Sequence, residues 1–349
     1  MNKNFEALVH LPHSDSEEKW LRQRLETLSA KESIILTAAL SRHVPETAAE
    51  AINLLLALPS HEVYCPVANY EELGRRYLYE TNARLPESVQ KYTDMEALGR
   101  LFAEKTPGLF SNGCYVSWPD RPLSERYDGQ NLDALGDRYA LMVKLASQTH
   151  PEGVWMGLPD TAYLEGGPPD EIGMALRALE VHNENECRVL ETRCNAAQVT
   201  AVLDFAKIPA QYDSIEDFLY DANNLSFLLD ERGGGIADFE QRFAAVLEYE
   251  GCQTLADVLE VGQYLGNYAV VPVKDVRDFA RKELEKSGIS PEIQSAVSLD
   301  AYGRELLSER GYTLACRESV FIKCSDQTAE HSVSKKRTPE KSKKAAPSR

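Results

Sequence analysis

Cys65-Pro66-Val67-Ala68-Asn69-Tyr70-Glu71-Glu72-Leu73-Gly74-Arg75-Arg76-Tyr77-Leu78 returns, without a gap, as Val271-Pro272-Val273-Lys274-Asp275-Val276-Arg277-Asp278-Phe279-Ala280-Arg281-Lys282-Glu283-Leu284. Both stretches carry Pro-Val. Each then places an Asx residue, Asn69 or Asp275, where a helix cap belongs, with an acid three residues later, Glu72 or Asp278. That spacing is a capping box. Apolar residues follow at helical spacing: Tyr70, Leu73 and Tyr77 in one, Val276, Phe279 and Leu284 in the other. Glu72 with Arg76, and Asp278 with Lys282, stand as i,i+4 pairs on the outer face. Each stretch therefore predicts a capped amphipathic helix.

The likeness extends outward. Leu85-Pro86-Glu87 answers Ser290-Pro291-Glu292, and Asp94-Met95-Glu96-Ala97-Leu98-Gly99-Arg100 answers Ser298-Leu299-Asp300-Ala301-Tyr302-Gly303-Arg304. Two short β-like runs close each copy, around Cys114-Tyr115-Val116 and Val320-Phe321-Ile322. Upstream, Thr47 to Ile52 resembles Thr254 to Leu259. The unit runs from about 31 to 118 and again from about 238 to 323. A period near 205 residues is far beyond the roughly 20–50 of stacked repeats, so it reads as a duplication.

Different material lies between the copies. Residues 137–146 and 153–159 predict strands, 171–179 a helix after Pro168-Pro169-Asp170, and 187–193 a further strand. Phe5 to Pro12 predicts an opening strand, a shortened echo of this module. Residues 215–265 read as helical, broken at Gly233-Gly234-Gly235. The end after Lys323 is rich in Ser, Lys and Pro and lacks apolar periodicity, which predicts disorder. The expected fold is α+β: elongated, mostly helical small modules with short antiparallel sheets, internally duplicated. The expected division is a partial unit at 1–120, a linker at 121–137, an α+β module at 138–200, a helical module at 201–237, a C-terminal module at 238–325 that repeats 31–118, and a basic tail at 326–349.

Charge narrows the function. The 349 residues carry a net charge of −17, yet Ser334 to Arg349 hold seven basic residues and one acid, so the rest carries about −23. Such a field repels nucleic acid and acidic membranes and draws in basic surfaces. Residues 204–309 hold 21 acids against nine basic residues. Like charges left together on helix faces cost a few tenths of a kcal/mol per pair, which points to use. The candidate partner-binding acids are Asp213, Glu216, Asp217, Asp221, Asp230, Glu231, Asp238, Glu240, Glu248, Glu250, Asp257, Glu260, Asp275 and Asp278.

Catalytic patterns are missing. The chain has no HExxH, GxSxG or GxxxxGK[ST], and Gly233-Gly234-Gly235 reads as a helix break, not a phosphate cradle. Acid pairs such as Glu216-Asp217 read as a solvated face, and Phe218, Phe227, Phe239 and Phe243 as core. His182, Cys187 and Cys194 match no zinc spacing and read as a packed module. The seven cysteines include no CxxC and suggest no disulfide framework, so reduced thiols in the cytoplasm are expected. No signal peptide and no apolar run of about 20 residues stands out. The expectation is a non-enzyme with no catalytic residue, cofactor or metal and no membrane or direct DNA contact by the acidic body.

Gly153-x-Trp155-x-x-Leu158-Pro159, then an acid-rich helix, then Asp213-Ser214-Ile215, and finally Ala301-Tyr302-Gly303-Arg304-Glu305-Leu306 resemble, in order, the landmarks of the ArdA-type antirestriction proteins. That family carries G-x-W-x-x-L-P near its start and A-Y-G-R-D-L near its end. The resemblance covers about 138–323, a complete family unit. Residues 5–118 resemble a second, degraded unit that keeps Leu11-Pro12 and Ala97-Leu98-Gly99-Arg100 but lacks the Gly-Trp element. The resemblance implies a DNA mimic: an elongated acidic protein of mobile elements, active in a bacterial cytoplasm, that occupies the DNA groove of type I restriction-modification enzymes. Family members dimerise, so a homodimer or an internal pseudo-dimer is implied. This chain departs from the pattern in being about twice the family length, with one unit partial. The competing expectation is an accessory or scaffold protein of a mobile element that binds a basic protein.

Overall fold

Serine and threonine caps set the first elements in the computed structural model. It describes residues 3–81, 85–119, 125–136, 139–160, 162, 170–233, 238–315, 317 and 319–324. Helix accounts for 55% and strand for 14%, with three short three-stranded antiparallel sheets, so the mostly helical α+β expectation holds. The chain divides into two compact units, Met1–Thr192 and Arg193–Arg349.

The first unit opens with α1 (Lys3–Val9), α2 (Asp15–Glu26), α3 (Ala30–Arg42) and α4 (Ala48–Ala57). Ser14 with Glu17, and Ser29 with Glu32, form complete capping boxes at the starts of α2 and α3; Thr47 caps α4. The four helices share a core that includes Phe5, Leu8, Leu21, Leu36, Ile52 and Leu55. The strand expected over Phe5 to Pro12 is instead α1. Phe5, Leu8 and Val9 are spaced i, i+3, i+4, and all three are buried as one helical stripe. It ends at Val9, short of Leu11, whose place before Pro12 disfavours continuing the α conformation.

β1 (Val63–Tyr64), α5 (Tyr70–Glu80), α6 (Glu87–Gln90), α7 (Met95–Lys105), β2 (Gly108–Ser111) and β3 (Cys114–Ser117) follow, with sheet order β1-β3-β2. Asn112 and Gly113 both take positive φ, 51° and 72°, as a two-residue hairpin turn requires. Next come β4 (Leu141–Ala146), β5 (Val154–Leu158), α8 (Glu171–Ala178) and β6 (Arg188–Cys194), order β5-β4-β6.

The second unit holds α9 (Ala197–Thr200), α10 (Ile215–Gly233), α11 (Phe239–Glu250), α12 (Leu255–Gln263), β7 (Tyr268–Pro272), α13 (Val276–Lys286), α14 (Pro291–Ala296), α15 (Leu299–Glu309), β8 (Thr313–Ala315) and β9 (Val320–Cys324). Its sheet order, β7-β9-β8, has the same arrangement as β1-β3-β2. The helix pairs also meet alike. A Cβ on Gly99 of α7 would lie 1.8 Å from the Tyr70 carbonyl oxygen of α5, and one on Gly303 of α15 would lie 2.7 Å from that of Val276 on α13. The sequence comparison matches Gly99 to Gly303 and Tyr70 to Val276.

Several expectations are corrected. Asn69 caps α5 as expected, accepting from the Glu72 N–H at 2.9 Å. Asp275 does not cap α13 with its side chain, because Val273–Asp275 already turns as a 3₁₀ segment leading into the helix. Asp278 pairs with Arg281 at 2.7 Å instead of completing a box. Within the expected linker at 121–137, the described residues 125–136 pack against the preceding helices. Tyr127 is buried, its hydroxyl donates to Glu17 at 3.0 Å, and Asn53 accepts from the backbone N–H groups of Arg126 and Tyr127. The 138–200 module falls almost wholly within the first unit, since α3 packs on both β5 and α8. Cys65 and Cys114 are joined in a disulfide, against the expectation of reduced thiols. They stand opposite each other one step beyond the Tyr64–Tyr115 pair, with Cα atoms 4.6 Å apart. Gly234, Gly235 and the tail at 326–349 lie outside the described residues.

Candidate functional site

Residues 213–260 carry twelve acids against two basic residues, Arg232 and Arg242. Ser214 starts α10: its Oγ accepts from the Asp217 N–H at 3.0 Å. Phe218, Leu219, Ala222, Leu225 and Leu229 then form a buried stripe along the helix. The opposite side leaves Glu216, Asp217, Asp230 and Glu231 exposed. In α11, Phe239 and Phe243 stack with ring centroids 5.3 Å apart and turn inward. Asp238 and Glu240 face solvent beside them. Asp213, Asp275 and Asp278 are also exposed.

The remaining acids have internal work. Asp221 is half-buried and accepts from the Tyr212 hydroxyl at 2.7 Å. Burial first, then this carboxylate, drive the Tyr212 phenol above its ordinary range. Glu248, half-buried, accepts from the Arg317 N–H at 3.2 Å, and Glu260 is half-buried too. Glu250 and Asp257 are corrections, because neither reaches the surface. Glu250 is 5% exposed and accepts from the Tyr268 hydroxyl at 2.9 Å. Asp257 is 6% exposed and holds the N–H groups of Gln253 and Thr254 at the start of α12. Ten of the twelve acids therefore touch solvent. Arg242 does not offset them at the surface: its Nη2 donates inward to the Tyr268 carbonyl at 2.8 Å.

The motif residues are structural positions. Gly153 takes φ +71° in the β4–β5 turn, where a Cβ would meet the Leu145 carbonyl at 2.6 Å. Trp155 and Leu158 are buried, and Pro159 follows Leu158 at the end of β5. Tyr302 is half-buried, Gly303 makes the α13–α15 approach, and Arg304 bonds Asp300 at 2.9 Å with its guanidinium 5.9 Å from the Phe321 ring centre.

A buried charge cluster in the first unit escaped the sequence reading. Glu32 is fully buried and accepts from both terminal guanidinium nitrogens of Arg24, Nη1 and Nη2. Glu171, 2% exposed at the start of α8, accepts from the Tyr139 hydroxyl at 2.7 Å and the Gly157 N–H at 3.2 Å. Burial, then the nearby Glu32 charge, push the Glu171 carboxyl up to about 7. Ser29-x-x-Glu32 was the available signal, a capping box legible in the sequence.

Among the described residues, no group of three or more His, Cys, Asp or Glu is placed to hold a metal, and no helix is long and apolar enough to cross a membrane. Burial pushes the Cys187 and Cys194 thiols up to about 11. Compared with models of protein families, with curated proteins and with solved structures, the chain matches none.

Proposed function

We propose that this chain is a non-catalytic DNA mimic that inhibits a DNA-binding enzyme by placing the acidic surface of α10 and α11 in its DNA groove. The supporting observation is twelve acids against two basic residues over 213–260, ten of them reaching solvent. The ArdA resemblance supplies the target class, a type I restriction-modification enzyme, and the setting, a bacterial cytoplasm.

Magnitudes say how much surface the mimic needs. The 19 residues of α10 span about 28 Å at 1.5 Å per residue. Five candidate acids lie on it, Glu216, Asp217, Asp221, Asp230 and Glu231, about one per 6 Å of axis. Duplex DNA has one charge per roughly 1.7 Å. The helix alone is a sparse imitation, so the reading requires Asp213, Asp238 and Glu240 to act with it. The same reading takes 31–118 and 238–323 as copies of one unit, supported by their shared strand order and by the matched Gly99 and Gly303 approaches.

The test is DNA binding by a purified type I restriction-modification complex, titrated with this protein. Displacement of DNA that weakens with added salt is expected. Undiminished DNA binding at excess protein, across several such enzymes, rejects the reading. Recovery of a basic partner unrelated to DNA would favour the scaffold alternative.

A further inference from the structure

A cleft of about 520 Å³ opens within the first unit, walled by α3, the β2–β3 turn, the β4–β5 hairpin and α8. That volume suits a small organic molecule. Its floor is apolar, built from Ile34, Val154, Trp155 and Met174. Trp155 belongs to the Gly-x-Trp motif, which the acidic surface of the second unit leaves without a role.

The edge of the cleft carries two cations, Lys144 and Arg177. Register places Lys144 directly opposite Trp155 on the paired strand, and its ammonium sits 5.9 Å from the indole centre. Among the described residues, no carboxylate forms an ion pair with Lys144 or with Arg177. The Arg177 guanidinium makes one long bond, 3.4 Å, to the Gly113 carbonyl. Two acids also line the cleft. Glu152 is exposed, lies 3.5 Å from His150, and is held below the ordinary carboxylate range by its backbone hydrogen bond first and also by the His150 hydrogen bond and the Lys144 charge; Glu26 is exposed too. In a chain with 55 acids and 38 basic residues, Lys144 and Arg177 place two cations around one apolar floor, opposite the two acids of the same rim. An apolar floor with an ammonium beside it accepts an apolar group that ends in an anion.

We infer that this cleft binds a small apolar carboxylate, its hydrophobic body on the half-buried Ile34 and Val154 and its carboxylate at Lys144, with Arg177 adding positive field from the α8 wall. The site is independent of the acidic helices and of any DNA mimicry.

The experiment is isothermal titration of the full chain with 2-naphthoate, and with uncharged 2-naphthamide as the control. One saturable site is expected, with naphthoate at least tenfold tighter than the amide. Lys144→Met should weaken naphthoate about tenfold and leave the amide nearly unchanged. Arg177→Gln, at an exposed position, should weaken naphthoate less. Ala178→Trp should fill the cleft and abolish both. Thermal melts of each variant separate lost binding from lost folding. Absence of saturable binding by either probe, or equal affinity for the two, overturns the proposal. So does a folded Lys144→Met variant that keeps full naphthoate affinity.

Discussion

Replacing Glu171 by Gln should flatten the pH dependence of stability in the first unit. The native carboxyl is raised from 4.5 to about 7, through burial first and the Glu32 charge second, with the Tyr139 hydroxyl, Lys31 and the Gly157 N–H opposing. A folded-state value above the unfolded one means that the native state holds the proton more tightly. The stabilisation is therefore fully present below about pH 4.5 and is lost as pH rises through 7. A shift of about 2.5 units at 1.36 kcal/mol each amounts to about 3 kcal/mol. Gln keeps an acceptor for the Gly157 N–H and a group for the Tyr139 hydroxyl, but it does not titrate. Urea unfolding at pH 5, 6, 7 and 8, followed by tryptophan emission, reads the effect directly. All three tryptophans, Trp20, Trp118 and Trp155, lie in the first unit. Wild type should lose about 2–3 kcal/mol from this group between pH 5 and 8, and the variant should not. The other titrating groups are common to both proteins and cancel in the difference. Equal slopes for the two would refute the assignment of a protonated, buried Glu171.

Gly99→Ala forces a Cβ to within 1.8 Å of the Tyr70 carbonyl, and should cost about 3 kcal/mol or more; Gly303→Ala, at 2.7 Å from Val276, should cost less. Thermal melts that order them the other way would contradict the helix-pair geometry. Neutralising Glu216, Asp217, Asp230, Glu231 and Glu240 together removes five exposed charges. At about 0.5 kcal/mol each, the block on DNA binding should weaken by nearly a hundredfold, with the circular dichroism spectrum unchanged; an undiminished block would move the binding surface elsewhere. The Cys65–Cys114 link closes 49 residues, worth about 4 kcal/mol on the chain-entropy account. Protein unfolded without reductant should show five reactive thiols by dithionitrobenzoate, and seven after reduction, with a lower melting temperature for the reduced form.

Local patterns carried the sequence reading furthest. The paired stretches at 65–78 and 271–284 announced α5 and α13, and the Gly-Arg pairs fell where two helices touch. Tertiary facts were out of reach. Eight residues at Phe5 to Pro12 satisfy a strand or a helix stripe about equally, and only the neighbouring α2 and α4 decide between them. Counting acids does not say which way a helix turns, so Glu250 and Asp257 passed as surface charges while facing inward. Cys65 and Cys114 become neighbours only when β1 pairs with β3. The grouping of 139–192 with the first 120 residues rests on α3 packing against β5 and α8, contacts more than 100 residues apart in sequence.

Arg24 and Glu32 have a consequence for how this chain can change over time. Glu32 is enclosed, Arg24 is partly so, and the two share two hydrogen bonds. Losing Arg24 alone strands the Glu32 charge in the interior, at a cost of about 3–5 kcal/mol, whereas replacing both with apolar side chains can be neutral or stabilising. Single steps away from the pair cross a stability barrier that the double step avoids. Descendants of this sequence should therefore keep both residues or lose both together, so positions 24 and 32 should co-vary.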